Sequence, residues 1–107
     1  MLEKDLNEYD QVFAKELGEK LKFLRKKMGC STETFAALIK VPYARLYTYE
    51  VGTRTCPMSV LKKACVTAGE NFIRILEEID KVADKKAKIK AAIKEESPEE
   101  IGSLGEN

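Results

Sequence analysis

Apolar residues recur through the first quarter of the chain at Leu2, Leu6, Tyr9, Phe13, Leu17, Leu21, Leu24 and Met28, mostly in steps of three or four. That period places them on one face of an amphipathic helix, or of two helices nearly in line if Gly18 interrupts it. Ser31 is a good N-cap for a second helix, with Phe35, Ala36, Leu38 and Ile39 as its apolar face. The pattern breaks at Lys40-Val41-Pro42. Proline tolerates the first turn of a helix but not its interior, so Pro42 closes one helix and opens the next. This third helix, 43–50, turns Leu46 and Tyr49 inward and Tyr43, Ala44, Arg45, Tyr47 and Thr48 outward, and Gly52 stops it. Ser59 is the expected cap of a fourth helix, 59–68, closed by Gly69 and facing Val60, Leu61, Ala64, Cys65 and Ala68 to the core.

A fifth helix is expected from Asn71 to about residue 95. It carries two overlapping stripes. Phe72, Leu76, Ile79 and Ala83 suit docking on the helical core. Ile75, Ile79, Val82, Lys86, Ile89 and Ile93 step by four and three, the spacing of a heptad seam that can join two copies. A terminal helix covering the core and a dimerisation helix both fit this pattern. From Ser97-Pro98 onward a short turn and a mobile tail are expected, because Gly102 and Gly105 prevent much helix from following.

Charge changes the picture more than composition does. The 107 residues make one domain with a small core, 35% of them charged and 44% apolar, and the formal net charge is only +1. That balance hides an uneven distribution. Residues 1–16 hold 2 basic and 5 acidic groups, residues 17–70 hold 10 and 4, and residues 71–107 hold 7 and 9. The positive charge therefore lies on the segment containing the short helices, as contact with phosphate requires. The acidic stretch before Phe13 is unsuited to phosphate and is expected to pack on the C-terminal helix or on a partner.

Candidate enzyme chemistry is missing. The chain has no histidine, no glycine-rich phosphate loop and no nucleophile elbow. Glu77-Glu78, Glu95-Glu96 and Glu99-Glu100 are adjacent pairs that do not converge on a metal. Cys30, Cys56 and Cys65 are odd in number and irregularly spaced, which argues against a disulfide framework or a zinc site and for buried thiols. No apolar run approaches 18 residues and no signal-peptide pattern is present, so a cytoplasmic protein without membrane contact is expected. No metal or cofactor is expected.

Leu17-Gly18-x-x-Leu21-x-x-Leu24-Arg25, Gly29-Cys30-Ser31, Phe35-Ala36 and Glu50-x-Gly52-x-Arg54-x-x-Pro57 follow one another in a specific order and spacing. Over Leu17 to Met58 the chain thereby resembles the Cro/lambda-repressor-type (XRE) helix-turn-helix family of transcription regulators. The resemblance implies an all-α fold, a compact helix-turn-helix bundle of about five helices. Residues 17–70 would be the DNA-binding domain, 1–16 a helical N-terminal extension, 71–96 a C-terminal helix with a dimerisation role, and 97–107 a flexible tail. It also implies a sequence-specific regulator, in the simplest case a repressor, that reads the major groove of double-stranded DNA with helix 43–50 as a homodimer.

By family position, Tyr43, Ala44 and Thr48 fall where bases are contacted. Arg45 has the fork geometry for a guanine edge and can also reach a phosphate. Thr32, Lys40, Tyr47, Thr53, Arg54 and Thr55 are the candidate phosphate contacts, which position the protein without reading sequence. Arg25 and Glu50 are expected to form a structural ion pair between helices, though an exposed Arg25 could also bind phosphate. The chain departs from the family at Thr32, where glutamine is common, and in the turn, where Lys40 and Pro42 replace a glycine. A rival expectation is a helix-turn-helix-fold protein-interaction module that no longer binds DNA, offering Tyr43, Tyr47 and Tyr49 to a protein partner.

Overall fold

The computed structural model describes the backbone of residues 3–103 and the side chains of residues 8–93. Five helices follow in order: α1 (Glu3–Lys27), α2 (Thr32–Ile39), α3 (Tyr43–Val51), α4 (Met58–Ala68) and α5 (Phe72–Ser103). Among the described residues there is no strand, so the fold is all-α. Three short helices, α2 to α4, form a head at one end of a shaft made by α1 and α5, and the molecule measures 54 × 25 × 21 Å.

The core forms where the predicted apolar faces meet. Leu17, Leu21 and Leu24 of α1 are fully buried against Phe35 and Ile39 of α2, Leu46 of α3, Leu61 of α4, and Ile75 and Ile79 of α5. Each such side chain contributes about 1.5–3 kcal/mol by leaving water. Gly18 does not break α1. A Cβ built there would lie 2.5 Å from the carbonyl oxygens of both Tyr49 and Glu50. Glycine costs a helix interior about 1 kcal/mol relative to alanine. Here it lets α1 cross the C-terminal end of α3 in direct backbone contact.

Two boundaries differ from the sequence expectation. Pro57, not Ser59, occupies the cap position of α4, and its carbonyl accepts from the N–H groups of Val60 and Leu61 at 3.0 and 3.1 Å. Proline's fixed φ starts the helix at Met58 and leaves Ser59 exposed inside it. The second difference is at Ser97-Pro98, where α5 continues to Ser103 instead of turning. Ser-Pro-Glu-Glu is itself compatible with a helical first turn, and proline's fixed φ lies in the helical range, so the helical backbone runs on through it. Residues 104–107 of the expected tail lie outside the described residues, as do the side chains of Leu2 and Leu6.

Along the shaft, Ile75, Ile79, Ala83, Ala87 and Ala91 are buried at every fourth position, where α5 packs along α1. Three successive alanines let the two helices approach closely. This register corrects the heptad seam. Ile75 and Ile79 belong to the monomer's own core, while Val82, Ile89 and Ile93 are 39, 51 and 58% exposed. The expected docking stripe does lie on the core, with Ile79 and Ala83 buried and Phe72 and Leu76 half-buried and packed against it. The acidic N-terminal extension packs on α5: the Tyr9 hydroxyl donates to Asp80 at 2.6 Å, Lys86 pairs with Glu16 at 2.7 Å, and Lys90 lies 4.0 Å from Glu8.

Candidate nucleic-acid interface

The helix-turn-helix is built from two caps and a left-handed turn. The Ser31 hydroxyl accepts from the Thr34 N–H at 3.1 Å and fixes the start of α2. Its end is Lys40, at φ 59° and ψ 50°. Among the described residues it is the sole non-glycine with positive φ. The Lys40 N–H bonds to Ala37, and that of Val41 to Ala36, at 3.3 and 3.0 Å, closing the helix in the manner usually assigned to glycine. Pro42 then caps α3.

One side of α3 is locked in place. Leu46, Tyr49 and Glu50 are buried. Arg25 Nε and one terminal nitrogen donate to the two Glu50 oxygens at 2.8 and 3.1 Å, and its other terminal nitrogen donates to the Cys30 carbonyl at 3.1 Å. Glu50 is 4% exposed, so this bidentate pair ties α1, the α1–α2 link and α3 together away from solvent. Arg25 is spent on structure. Thr32 is drawn into the same group, its hydroxyl 3.5 Å from Glu50 Oε1. At that length the contact is weak, and Thr32 is half-buried.

The other side of α3 is open. Tyr43, Ala44, Arg45 and Tyr47 are exposed, and Thr48 is half-buried. The Thr48 hydroxyl donates to the Arg45 carbonyl at 2.7 Å, so toward a ligand it offers a methyl and an acceptor. Gly52, at φ 83°, ends the helix. The Thr48 carbonyl then accepts from the N–H groups of Gly52, Thr53 and Arg54 at 3.1, 3.1 and 3.3 Å. The Thr53 hydroxyl adds a fourth bond at 3.3 Å. This folds the loop back along α3, so Arg54 meets Pro42, Ala44, Arg45 and Thr48 around a shallow depression of about 250 Å³. Thr53 and Thr55 are exposed beside it.

Two features were not singled out from the sequence. Lys62 and Lys63 of α4 line a groove with Lys40, Leu38 and Val66 at the end of α2. The adjacent lysines were visible in the sequence, but their closeness to the turn depends on the α2–α4 packing. Val51 is the second: it extends Tyr43 and Tyr47 at a spacing of four, making an exposed stripe along α3 (50, 52 and 41%).

Other chemistry stays weak. Burial pushes the Cys56 thiol up to about 12, and burial also raises that of Cys65, so both stay protonated and poorly nucleophilic at neutral pH. Among the described residues no group of three acidic, cysteine or histidine side chains is placed to hold a metal ion, and no helix is long and apolar enough to cross a membrane. No protein-family model, curated protein or solved structure matches the chain.

Proposed function

We propose that the protein is a sequence-specific DNA-binding transcriptional regulator of the cytoplasm, inserting α3 into the major groove of double-stranded DNA as a homodimer. The observation that carries this reading is the division of α3 into a locked face and a cationic open face. Lys40 at the turn, Arg45 in the first turns and Arg54 in the loop are all exposed, and among the described residues none of them is paired with a carboxylate. Cations left without partners around a rigid helix N-terminus suit phosphate binding with base readout between the contacts. Arg45 and Ala44 supply guanine and thymine-methyl recognition respectively, and Lys40, Tyr47, Thr53, Arg54 and Thr55 supply phosphate contacts. Repression needs nothing beyond occupancy of a promoter.

Selection from a random-sequence duplex pool at two salt concentrations tests this directly. An enriched motif with two half-sites is expected. Arg45→Ala should then weaken binding to that motif by about 1–3 kcal/mol and relax one base position. Arg54→Ala should weaken all sequences alike and lower the salt slope by about one. Equal behaviour of the two variants on specific and random DNA would overturn the division of roles. The Tyr43–Tyr47–Val51 stripe favours a second reading, a protein-interaction module, and absence of any DNA binding at low salt would select it.

A further inference from the structure

The groove where the end of α2 meets α4 has a volume of about 340 Å³, and Leu38, Lys40, Lys62, Lys63 and Val66 line it. Its apolar members are open to solvent, Leu38 at 49% and Val66 at 63% exposure. Its charge is of one sign, because no carboxylate lines it. The molecule's own ion pairs do not neutralise that charge. Among the described residues, Lys40, Lys62 and Lys63 enter none of them. Glu70, the first acid after α4, is taken by Lys27 and Arg74. Lys62 lies 5.4 Å over the Phe72 ring, a contact that leaves its charge in place. Three uncompensated ammonium groups thus stand around an apolar concavity. One of them, Lys40, holds a left-handed backbone that glycine would adopt at lower cost.

Such a groove is complemented by apolar side chains at its floor and anionic ones at its rim. We propose that it receives an acidic amphipathic helix of a partner protein. Leucine-like side chains of that helix cover Leu38 and Val66, and its carboxylates face Lys40, Lys62 and Lys63. A DNA backbone would satisfy the lysines but leave Leu38 and Val66 uncovered. Lys40 borders both this groove and the N-terminus of α3. A bound acidic helix therefore takes one cation away from the phosphate contacts and opposes DNA. That consequence rests on the DNA-binding reading above, whereas the docking itself does not.

Fluorescence polarisation of the full chain without DNA tests the docking, so its failure and the failure of DNA binding are read separately. The probe is a labelled synthetic helix with leucines at i and i+4 flanked by glutamates. The same helix with lysines in place of the glutamates serves as the control. The glutamate helix is expected to bind with a Kd of about 10–100 μM, more weakly at high salt, and the lysine helix not to bind. Val66→Asp should weaken binding at least about tenfold while the helical circular dichroism is retained, because Val66 is outside the core. Lys62→Glu with Lys63→Glu should weaken it about tenfold and shift preference toward the lysine helix. Arg45→Ala should leave it unchanged. No saturation by the glutamate helix at about 1 mM, or an unaffected Val66→Asp variant, would overturn the proposal. So would an unbound helix together with a lower salt slope of DNA binding in the double lysine variant, which would make these lysines phosphate contacts.

Discussion

The head and the shaft are held together by opposite means. In the head, short helices of 8 to 11 residues are fixed by large side chains, a bidentate ion pair that is nearly solvent-free, and a glycine crossing with no spare volume. In the shaft, two long helices meet over alanines and are strapped by charge pairs on the surface. Short helices have little intrinsic stability in water, so α2 and α3 depend on tertiary contacts for both their existence and their angle. Long helices sharing an extended seam distribute the same task over many weak contacts. The head should therefore fail at single positions, and the shaft should yield gradually.

The largest expected effect is at the ion pair. Arg25→Ala leaves Glu50 buried with only the distant Thr32 hydroxyl, and should cost about 3–5 kcal/mol in denaturant unfolding. Glu50→Gln, which keeps side-chain hydrogen bonding, should cost visibly less. Equal losses would show that charge, rather than an orphaned polar group, dominates. Gly18→Ala comes next. Alanine is the better helix former by about 1 kcal/mol, yet its methyl would meet two carbonyl oxygens, so a net loss of about 2–3 kcal/mol is expected. A neutral Gly18→Ala would mean that α1 and α3 can separate without cost, and the head would not be rigid.

Lys40 sharpens the comparison from the other side, because its backbone and its side chain pull in different directions. A left-handed conformation costs a non-glycine residue about 1–2 kcal/mol. Lys40→Gly should therefore stabilise the fold by roughly 0.5–1 kcal/mol in thermal or denaturant unfolding while lowering the salt slope of DNA binding by about one. Stabilisation without any change in the salt slope would remove Lys40 from the phosphate contacts.

What the sequence revealed follows the same division. Helix existence, the inward residues of the head other than Leu38, which is 49% exposed, and the Ser31, Gly52 and Gly69 caps were legible because each is local, and the Arg25–Glu50 pair was legible through the family resemblance. The register of α5 was not. Ile75 and Ile79 belong to both a core stripe and a heptad seam, and periodicity alone cannot rank two overlapping stripes on one helix. Small alanines at 83, 87 and 91 decided it, by letting α1 approach where bulkier residues would not. At the candidate interface, the residue types were legible but not their competitors. That Thr32 lies beside Glu50, and that Lys62 and Lys63 join Lys40, depends on contacts 18 or more residues apart.

The smallest expected effect tests the shaft where it joins the head. Arg74 pairs with both Glu70 and Glu78, which also take Lys27 and Lys20 of α1, so five charges run as one chain across α1, the α4–α5 link and α5. The hydrogen bond from Lys27 lowers the Glu70 carboxyl below its ordinary value of 4.5, and that from Lys20 does the same for Glu78. A depressed carboxylate contributes stability that is present above the ordinary value and is lost as pH falls through the lowered one. Acid should therefore weaken this strap only below about pH 4.5, with neutral and mildly alkaline pH leaving it intact. Arg74→Ala removes one link of an exposed network while leaving both lysine pairs in place. Its drop in melting temperature should be several-fold smaller than that of Arg25→Ala, should shrink further in high salt, and should vanish in acid. A loss as large as that of Arg25→Ala, unaffected by salt, would show that the shaft relies on a single anchor after all.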